Sequence, residues 1–318
     1  MGAAGYRTRY PPRVRHARPA TGGRGSDPVK LRAALLAWYD ANRRDFPWRR
    51  TRDPYAVLVS EVMLQQTQAS RVNVAFPAFM RRFPTAADLA AASSRDVLVA
   101  WSGLGYNRRA LALQRAAAAV TRSGWPRDVA GLQALPGIGP YTARAVASLA
   151  FDHAVGVVDT NVRRWLTRRF GLRPDAAASD LQALADALAG AGTDGRTDAW
   201  THASMEFGAN VCRARTPRCA ACPVAGGCPS RTDPVAVPVP RQAPFSGSNR
   251  AGRGALLRAL VAAPGHALAL DRVGTLVPAA RAARILAELE REGFIRREGD
   301  EVRLGGPSRG DATATIDP

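Results

Sequence analysis

Four closely spaced cysteines constrain this sequence more than any other feature. They are the only cysteines of the 318-residue chain, they are spaced C-x6-C-x2-C-x5-C, and they are Cys212, Cys219, Cys222 and Cys228. A compact set of four thiolates suits an iron–sulfur cluster or a structural zinc ion. Two disulfides are disfavoured if the compartment is reducing. The spacing favours a cluster over zinc, because zinc folds more often use two C-x2-C pairs.

Residue patterns along the chain predict a large core followed by a smaller domain. We expect a disordered basic leader at 1–29, a core at 30–230, a linker rich in Pro, Ser and Gly at 231–250, a second domain at 251–306 and a disordered tail at 307–318. No apolar run is long enough to cross a membrane, and the N-terminus lacks the apolar segment of a secretory signal. We therefore expect a cytoplasmic protein with no membrane partner, and we expect it to be a monomer.

The charge of the chain indicates a polyanionic partner. The formal net charge is +19, and such a field attracts nucleic acid by neutralising phosphates and releasing counterions. A composition bias is the alternative explanation, since Lys30 is the only lysine among many arginines. Charge favours nucleic acid, but the motifs must decide.

The pattern of the core is helical. Asp53 and Pro54 have the residue types of an N-cap and a first helical position, and they predict a helix that continues to about Gln68. Periodicity near 3.6 residues predicts further helices at 84–101, 108–122, 143–150 and 160–170. Because strand signals are few, the fold class predicted for the core is all-α.

The residues after the linker follow a different pattern. Two amphipathic segments, at 254–273 and 279–295, precede EGFIRREGDEVRLG, which has the pattern of a short hairpin. This order predicts a small C-terminal domain of the winged helix-turn-helix type.

Glu61 stands in the middle of an apolar helix. Its segment, PYAVLVSEVMLQQTQ at 54–68, has no polar face until its end, so the helix is expected inside the core. A glutamate in that position is either buried with a raised pKa or exposed at the floor of a cleft, and both suit a general acid. An ordinary solvated glutamate is the alternative.

The segment LPGIGPYTARAVASLAF at 135–151 predicts a tight turn ahead of a helix. Gly137 and Gly139 allow the backbone to approach a phosphate, and the N–H groups of a helix N-terminus can bind that anion. An ordinary glycine-rich connection is the alternative for the two glycines alone. The whole string resembles the helix-hairpin-helix element of DNA repair glycosylases, which favours a phosphate site.

Asp159 ends the apolar run of VVDTNVRRWL at 157–166 and can cap the helix that begins near Thr160. Capping alone would explain its presence. Together with Glu61, however, it supplies a second carboxylate in a different environment. Such a difference lets one site separate a general acid from a charge stabiliser.

Several strings together resemble the MutY-type adenine DNA glycosylases of the endonuclease III superfamily, over about residues 31–229. They are FPWR at 46–49, SEVMLQQTQ at 60–68, GLGYNRRA at 103–110, the hairpin, VVDTNV at 157–162 and the cysteine loop after MEFGANVC. The resemblance implies a helix-hairpin-helix glycosylase fold and hydrolytic removal of adenine opposite 8-oxoguanine or guanine from double-stranded DNA, with the adenosine flipped out. It also implies a [4Fe-4S] cluster bound by the four cysteines.

The resemblance assigns roles to individual positions. Glu61 would protonate adenine at N7, Asp159 would stabilise the oxocarbenium-like sugar, and Tyr141 and Asn161 would assist. The positions that fall where the family contacts adenine are Trp48, Arg49 and Glu206, and those that fall where it wedges the base stack are Gln66 and Tyr106. Gly137 and Gly139 would hold the phosphate.

One residue type separates two kinds of glycosylase. A bifunctional enzyme needs an amine to form a Schiff base, and endonuclease III relatives have a lysine at the position of Tyr141. Tyrosine cannot form the imine, and Lys30 precedes the core. We therefore predict a monofunctional enzyme rather than an endonuclease III-like glycosylase for oxidised pyrimidines. A non-catalytic iron–sulfur DNA-binding regulator would explain the charge, the cysteines and the C-terminal domain, but it would not explain Glu61 and Asp159.

The sequence departs from the family pattern in two places. WTHASMEFG at 200–208 has His202 and Glu206 where the family usually has glutamine and aspartate. We expect His202 to be an ordinary buried or surface histidine. In addition, the residues after Ser230 are too few and too helical for the MutT-like domain with which many members recognise 8-oxoguanine. We expect the winged-helix-like domain to add contacts to the duplex.

Overall fold

The computed structural model describes residues 27–191, 194–237, 245 and 247–306. The predicted leader up to residue 26, residues 238–244 and 246 of the predicted linker, and the predicted tail lie outside the described residues. The helices are α1 (Pro28–Asn42), α2 (Pro54–Leu64), α3 (Ala69–Arg82), α4 (Ala86–Ala91), α5 (Ser94–Ala100), α6 (Arg108–Ser123), α7 (Val129–Gln133), α8 (Pro140–Phe151), α9 (Thr160–Phe170), α10 (Ala178–Ala189), α11 (Thr197–Asn210), α12 (Asn249–Ala262), α13 (Leu270–Leu276) and α14 (Ala279–Arg291). The strands are β1 (Ala267–Ala269), β2 (Ile295–Glu298) and β3 (Glu301–Leu304).

Helix α2 begins where the sequence predicts and ends earlier. The Asp53 carboxylate accepts hydrogen bonds from the backbone of the first helical turn, with Pro54 as the first helical residue. The residues from Tyr55 to Met63 are buried, as the apolar sequence predicts. The expected end at Gln68 is wrong, because Gln66 adopts a φ of 55° and the chain turns there.

The predicted helix at 84–101 is two helices. Thr85 and Asp88 form a capping box at the start of α4, and the side chain of Ser93 caps α5. The Ser93 hydroxyl accepts a hydrogen bond from the Asp96 backbone N–H, which a continuous helix would bond internally, so a new helix starts there.

The core residues form two apolar clusters. One contains residues of α2 to α8 together with those of the C-terminal elements α12, α13, α14, β2 and β3, and the other joins α1, α9, α10 and α11. In the second cluster the ring of Trp165 packs edge-on against those of Trp200 and Phe207. Met205 of α11 packs against both clusters, and α8 packs on both α2 and α11. The junction between the clusters therefore lies beside α2, α8 and α11.

The C-terminal domain has the element order of a winged helix. Helix α12 is followed by β1, the α13–α14 pair and the β2–β3 hairpin, and β3 pairs antiparallel with both other strands. The amphipathic segment predicted at 254–273 is not one element, since α12 ends at Ala262 and β1 and the start of α13 follow. The domain also begins at Asn249, slightly before the predicted residue 251.

Glu292, just after α14, attaches this domain to the core. Its carboxylate accepts two hydrogen bonds from Arg108 at the start of α6, of 2.8 and 2.6 Å, and it is also paired with Arg253 of α12. The Arg108 hydrogen bond is the first of the causes that lower the pKa of Glu292 to about 2. Within the described part of the chain, no helix is both long and apolar enough to cross a membrane.

Candidate active site and cysteine loop

Glu61 is a buried carboxyl group with one close polar partner. Its residue is 3% exposed, and the Tyr141 hydroxyl of α8 donates a hydrogen bond of 3.1 Å to Oε2. Burial raises the pKa of Glu61 from 4.5 to about 7, and the hydrogen bond from Tyr141 opposes that rise. The side chain can therefore hold a proton near neutral pH, as a general acid requires.

Asp159 caps α9, and its charge is also felt by Glu61. Its Oδ1 accepts a hydrogen bond of 2.6 Å from the Val162 backbone, and its Oδ2 accepts one of 2.8 Å from the Asn161 side chain. Burial raises the pKa of Asp159, while these hydrogen bonds favour its charged form. Asp159 also lies close enough to contribute to the raised pKa of Glu61. The capping explanation and the shared-site explanation are both compatible with this geometry.

Close packing of α9 on α11 brings Asn161 into the site. A Cβ atom on Gly208 of α11 would lie 2.6 Å from the carbonyl oxygen of Asn161, so a glycine is needed at this crossing. On the same helix, the sulfur of Met205 lies 3.9 Å from the Tyr141 hydroxyl. The sequence did not indicate Met205, and its only signal is its position one residue before Glu206.

Glu206, a second buried glutamate, is paired with arginines. Its Oε1 lies 2.7 Å from Nε of Arg44, and its Oε2 forms an ion pair with Arg49. The charge of Arg49 also acts on Glu61, favouring the ionised form. Arg49 therefore lies near both buried glutamates, although only Glu206 is ion-paired with it.

Within the described part of the chain, neither Trp48 nor His202 has an ion pair of the kind that Glu206 makes. Trp48 packs among aromatic rings, and His202 is neutral. Trp48 is buried, with its ring stacked on Phe46 at 4.6 Å and edge-on to Phe76. No hydrogen bond or ring contact among the described residues joins it to Glu61. Desolvation and the charge of Arg49 lower the pKa of His202 to about 3, so it is neutral.

The predicted turn lies between α7 and α8. Gly137 has a φ of 76°, and a Cβ there would lie 2.6 Å from the Cβ of Ala112 on α6. Gly139 is the N-cap of α8, where no side chain caps the first turn. Both glycines are exposed while Ile138 between them is buried. The turn thus presents backbone to solvent at a helix N-terminus, as an anion site requires.

The two residues predicted to wedge the base stack lie in separate turns between helices of the core. Gln66 is in the turn between α2 and α3, and Tyr106 is in the turn before α6. Both are exposed and both have positive φ, of 55° and 48°.

The four cysteines line one cavity. Arginines also border this cavity, and they are Arg168, Arg169, Arg218 and Arg231. Among the described residues, no three Cys, His, Asp or Glu side chains form a group that could hold a single metal ion. The four cysteines therefore share one lining, although they lie up to 16 positions apart in sequence.

Arginines of α9 hold the cysteine loop and reach the candidate active site. Arg164 donates a hydrogen bond of 2.8 Å to the carbonyl oxygen of Cys212 and another of 2.8 Å to the side-chain oxygen of Asn161. Arg168 donates to the carbonyl oxygen of Arg213 at 2.6 Å. Cys212, at the start of the loop, and Asn161, which bonds to Asp159, are therefore both hydrogen-bonded to the guanidinium of Arg164.

These supporting arginines were not predicted from the sequence. Their partners are mostly carbonyl oxygens far away along the chain, which no local pattern indicates. One signal was available, because arginines at positions 164 and 168 are four residues apart on a helix. That spacing puts both side chains on one side of α9. If that side is buried, each guanidinium group needs hydrogen-bond acceptors from a neighbouring segment.

Cleavage of an N-glycosidic bond by the glycosidase route needs a proton donor at the leaving base and a negative charge near the sugar. Glu61 is a buried carboxyl group with a pKa of about 7, Asp159 is a hydrogen-bonded carboxyl group close to it, and the glycine turn exposes backbone at a helix N-terminus. These features define a helix-hairpin-helix DNA glycosylase. A family model described as "HhH-GPD superfamily base excision DNA repair protein" matches residues 59–189.

Curated relatives define the family more closely. An adenine DNA glycosylase of Mycolicibacterium smegmatis is 44% identical over 280 residues, which cover 84% of this chain and 92% of that protein. An adenine DNA glycosylase of Mycobacterium tuberculosis is 42% identical over 280 residues, with coverage of 84% and 90%. A human adenine DNA glycosylase is 43% identical over 217 residues, which cover 63% of this chain and 39% of that protein. The chain therefore belongs to the adenine DNA glycosylase family.

Solved structures agree on the fold. A thermostable thymine-DNA glycosylase superposes with a TM-score of 0.59 at 30% identity, covering 64% of this chain and 96% of that one. A trapped endonuclease III–DNA covalent intermediate superposes with a TM-score of 0.54 at 24% identity and the same coverage, which supports the fold alone.

Proposed function

We propose that this protein removes adenine mispaired with 8-oxoguanine or guanine from double-stranded DNA, by hydrolysis of the N-glycosidic bond. One observation carries the proposal. Glu61 is buried with a pKa raised to about 7, and Asp159 is near enough to influence it. A paired acid and carboxylate in one site suit a reaction that protonates a leaving base and develops positive charge on a sugar.

The side chains then have separate roles. Glu61 donates its proton to N7 of the flipped adenine, while Tyr141 holds the carboxyl oxygen that it hydrogen-bonds. Asp159 keeps its negative charge toward the sugar, since its hydrogen bonds from Val162 and Asn161 favour the ionised carboxylate. Arg49, Glu206 and Trp48 would form the adenine pocket, with the Arg49–Glu206 ion pair fixing its polar side.

Water is the nucleophile in this proposal. The position at which a lysine would form an imine is Tyr141, and the sole lysine, Lys30, is exposed on the first turn of α1. Without an amine in the site, β-elimination of the strand has no catalyst. We therefore propose a monofunctional enzyme.

The four thiols would hold a [4Fe-4S] cluster. All four thiols line one cavity, and their spacing has one C-x2-C pair rather than the two that zinc folds more often use. The cluster would stabilise its loop, and base hydrolysis needs no electron transfer from it. Arg164 would carry that stability to Asn161, which hydrogen-bonds Asp159.

Duplex DNA would be held by the glycine turn and the exposed arginines. The first turn of α8 offers backbone N–H groups to a phosphate, and the loop residues Arg215 and Arg218 are exposed beside the cysteine cavity. Gln66 and Tyr106 would enter the base stack. The protein would act as a monomer in the cytoplasm, a reducing compartment in which clustered cysteines favour a metal site over disulfides.

Single-turnover release of adenine from duplexes with A:8-oxoguanine, A:G and A:C pairs tests the proposal, with and without alkaline strand cleavage. We expect release from the first two pairs, strand breaks only after alkali, and no release by Glu61→Gln. An ultraviolet–visible spectrum and iron and zinc analysis test the cluster. Release of oxidised pyrimidines instead would indicate the endonuclease III-like alternative, and duplex binding without base release would indicate a regulator.

A further inference from the structure

The two wedge turns share a conformational feature. Gln66 and Tyr106 belong to the small set of non-glycine residues with positive φ in the described chain. Such conformations are disfavoured for side chains with a Cβ, and they persist only where the surroundings impose them. Something in the structure must therefore hold both turns.

The guanidinium of Arg109 lies between these turns. One terminal nitrogen donates its two N–H groups to three carbonyl oxygens at the end of α2, those of Val62 at 2.7 Å, Met63 at 3.1 Å and Gln65, so that one N–H is shared. These are the residues that lead directly into Gln66. This edge of the guanidinium therefore holds the first turn.

The other terminal nitrogen bonds to both turns. It donates to the Thr67 hydroxyl at 3.1 Å and to the carbonyl oxygens of Leu104 at 3.3 Å and Gly105 at 3.1 Å. The Thr67 hydroxyl in turn donates to Leu104 at 3.3 Å. Tyr106 follows Gly105 directly. The side chain of Arg109 therefore holds the backbone of both the Gln66 turn and the Tyr106 turn.

The same guanidinium also meets aromatic rings. Its carbon lies 5.5 Å from the ring centroid of Trp101 and 5.3 Å from that of Tyr106, distances typical of cation–π contacts. Trp101 is fully buried, whereas Tyr106 is exposed. Arg109 therefore holds the side chain of one wedge residue as well as its backbone.

Its acceptors are all neutral. No carboxylate among the described residues is paired with Arg109, and burial lowers its pKa to about 10. A half-buried cation without a counter-ion is a poor choice for stability alone, because an apolar side chain could fill the same space without the desolvation cost. The arrangement suits a geometric role, since a planar fork can bond along two edges at once.

We propose that Arg109 is a positioning residue for base extrusion, which sets the spacing and backbone conformation of the Gln66 and Tyr106 turns so that both side chains enter the DNA stack together. This rests on the proposed function, in which adenine must leave the duplex before it is cleaved. Arg109 itself contacts neither the base nor the reacting atoms.

The first test uses the full chain with Arg109→Lys and Arg109→Met. Lysine keeps the charge but cannot bond along two edges. Both variants should release adenine from an A:8-oxoguanine duplex about 100-fold more slowly under single-turnover conditions, since a displacement of about 1 Å can cost that much. A lysine variant with near wild-type rate would overturn the proposal.

A double-mutant cycle separates positioning from general structure. If Arg109 acts through the wedge, Arg109→Met should cost about 10-fold in a Tyr106→Ala background rather than about 100-fold, because only the Gln66 turn then still depends on it and interacting sites are non-additive. Arg32→Met is the matched control, since it removes a buried arginine that bonds to Asp194 at 2.8 Å. Its effect should be the same in both backgrounds. Equal effects of Arg109→Met in both backgrounds would overturn the proposal.

Two further measurements keep the test decisive. Thr67→Val removes one acceptor of Arg109 with little change in volume, so it should fold even if Arg109→Met does not, and we expect about 10-fold slower release. Fluorescence of 2-aminopurine beside the target adenine reports unstacking without chemistry. It should rise with wild type and fail to rise with both Arg109 variants, and a full rise with Arg109→Lys would contradict the proposal. Wild type that unstacks the probe but releases no adenine would refute the proposed function, and failure of both Arg109 variants to unstack it would then still support the role of Arg109.

Discussion

Replacing Glu61 by glutamine should make the protein more stable at alkaline pH while abolishing adenine release. The side chain is buried, and its only hydrogen bond among the described residues comes from Tyr141. Burial therefore penalises its charged form, and the penalty is the physical origin of the pKa of about 7. Glutamine has nearly the same shape and no charge, so it escapes the penalty.

The size of the effect follows from the two pKa values of the carboxyl group. A rise from the ordinary pKa of 4.5, taken for the unfolded chain, to about 7 in the folded protein corresponds to about 3 kcal/mol. Below the lower value the group is protonated in both states and costs nothing. As pH rises through the interval, the unfolded state ionises first, so the folded wild type loses stability. Above about pH 7 the full penalty applies.

Urea denaturation of wild type and Glu61→Gln at about pH 5 and about pH 8 measures this directly. The difference in free energy of unfolding should shift in favour of the variant by about 2.5 kcal/mol between the two values, because part of the interval lies below pH 5. Any constant cost of placing an amide in the site cancels in this comparison.

Glu206→Gln is the matched control, because Glu206 is equally buried but is paired with Arg44 and Arg49. Removing its charge leaves Arg49 without its partner, so the variant should be destabilised, by about 3 kcal/mol for a buried pair. The two glutamine variants should therefore change stability in opposite directions at alkaline pH. If the stability gain of Glu61→Gln is the same at both pH values, the reasoning about its burial is wrong.

Three other properties of the site and its surroundings can be tested. Wild-type adenine release should fall as pH rises through about 7, because Glu61 loses its proton there. Tyr141→Phe should move that decline to higher pH, since the lost hydrogen bond had lowered the pKa of Glu61. Single-turnover rates across a range of pH measure both effects. Gly137→Ala should weaken duplex binding at least about 10-fold in fluorescence anisotropy, because both φ and the contact with α6 exclude a Cβ. Glu292→Gln should make the C-terminal domain more accessible to proteases and, if that domain contacts DNA, reduce duplex affinity, since the pairing with Arg108 is lost.

The local parts of the fold could be predicted from the sequence. Asp53 and Asp159 cap helices as their residue types and neighbours indicate, and α9 occupies the predicted range of 160–170. The apolar residues around Glu61 predicted that its helix lies in the core, and of the alternatives for Glu61 itself the structure shows the buried one. In each case the information lies within one or two helical turns, where residue type and backbone geometry are directly related.

The parts that could not be predicted depend on contacts between distant segments. The early end of α2 is imposed by the turn at Gln66, whose carbonyl neighbours bond to Arg109 more than forty positions away. The arginines that pair with Glu206 lie on the segment before α2. One of them, Arg44, is 162 positions from Glu206 in sequence. Residue type alone does not distinguish such an ion-paired glutamate from the unpaired Glu61.

The buried arginines change what the net charge of the chain means. Arg32, Arg164, Arg168 and Arg169 are at most 7% exposed, and their guanidinium groups bond to carbonyl oxygens or carboxylates of the protein itself. These residues add to the formal charge of +19 but cannot each contact a phosphate. Counterion release depends on the phosphates that are neutralised, not on formal charge. Part of the arginine content therefore serves the packing of α9 and the cysteine loop, and only the exposed arginines are accessible to a phosphate.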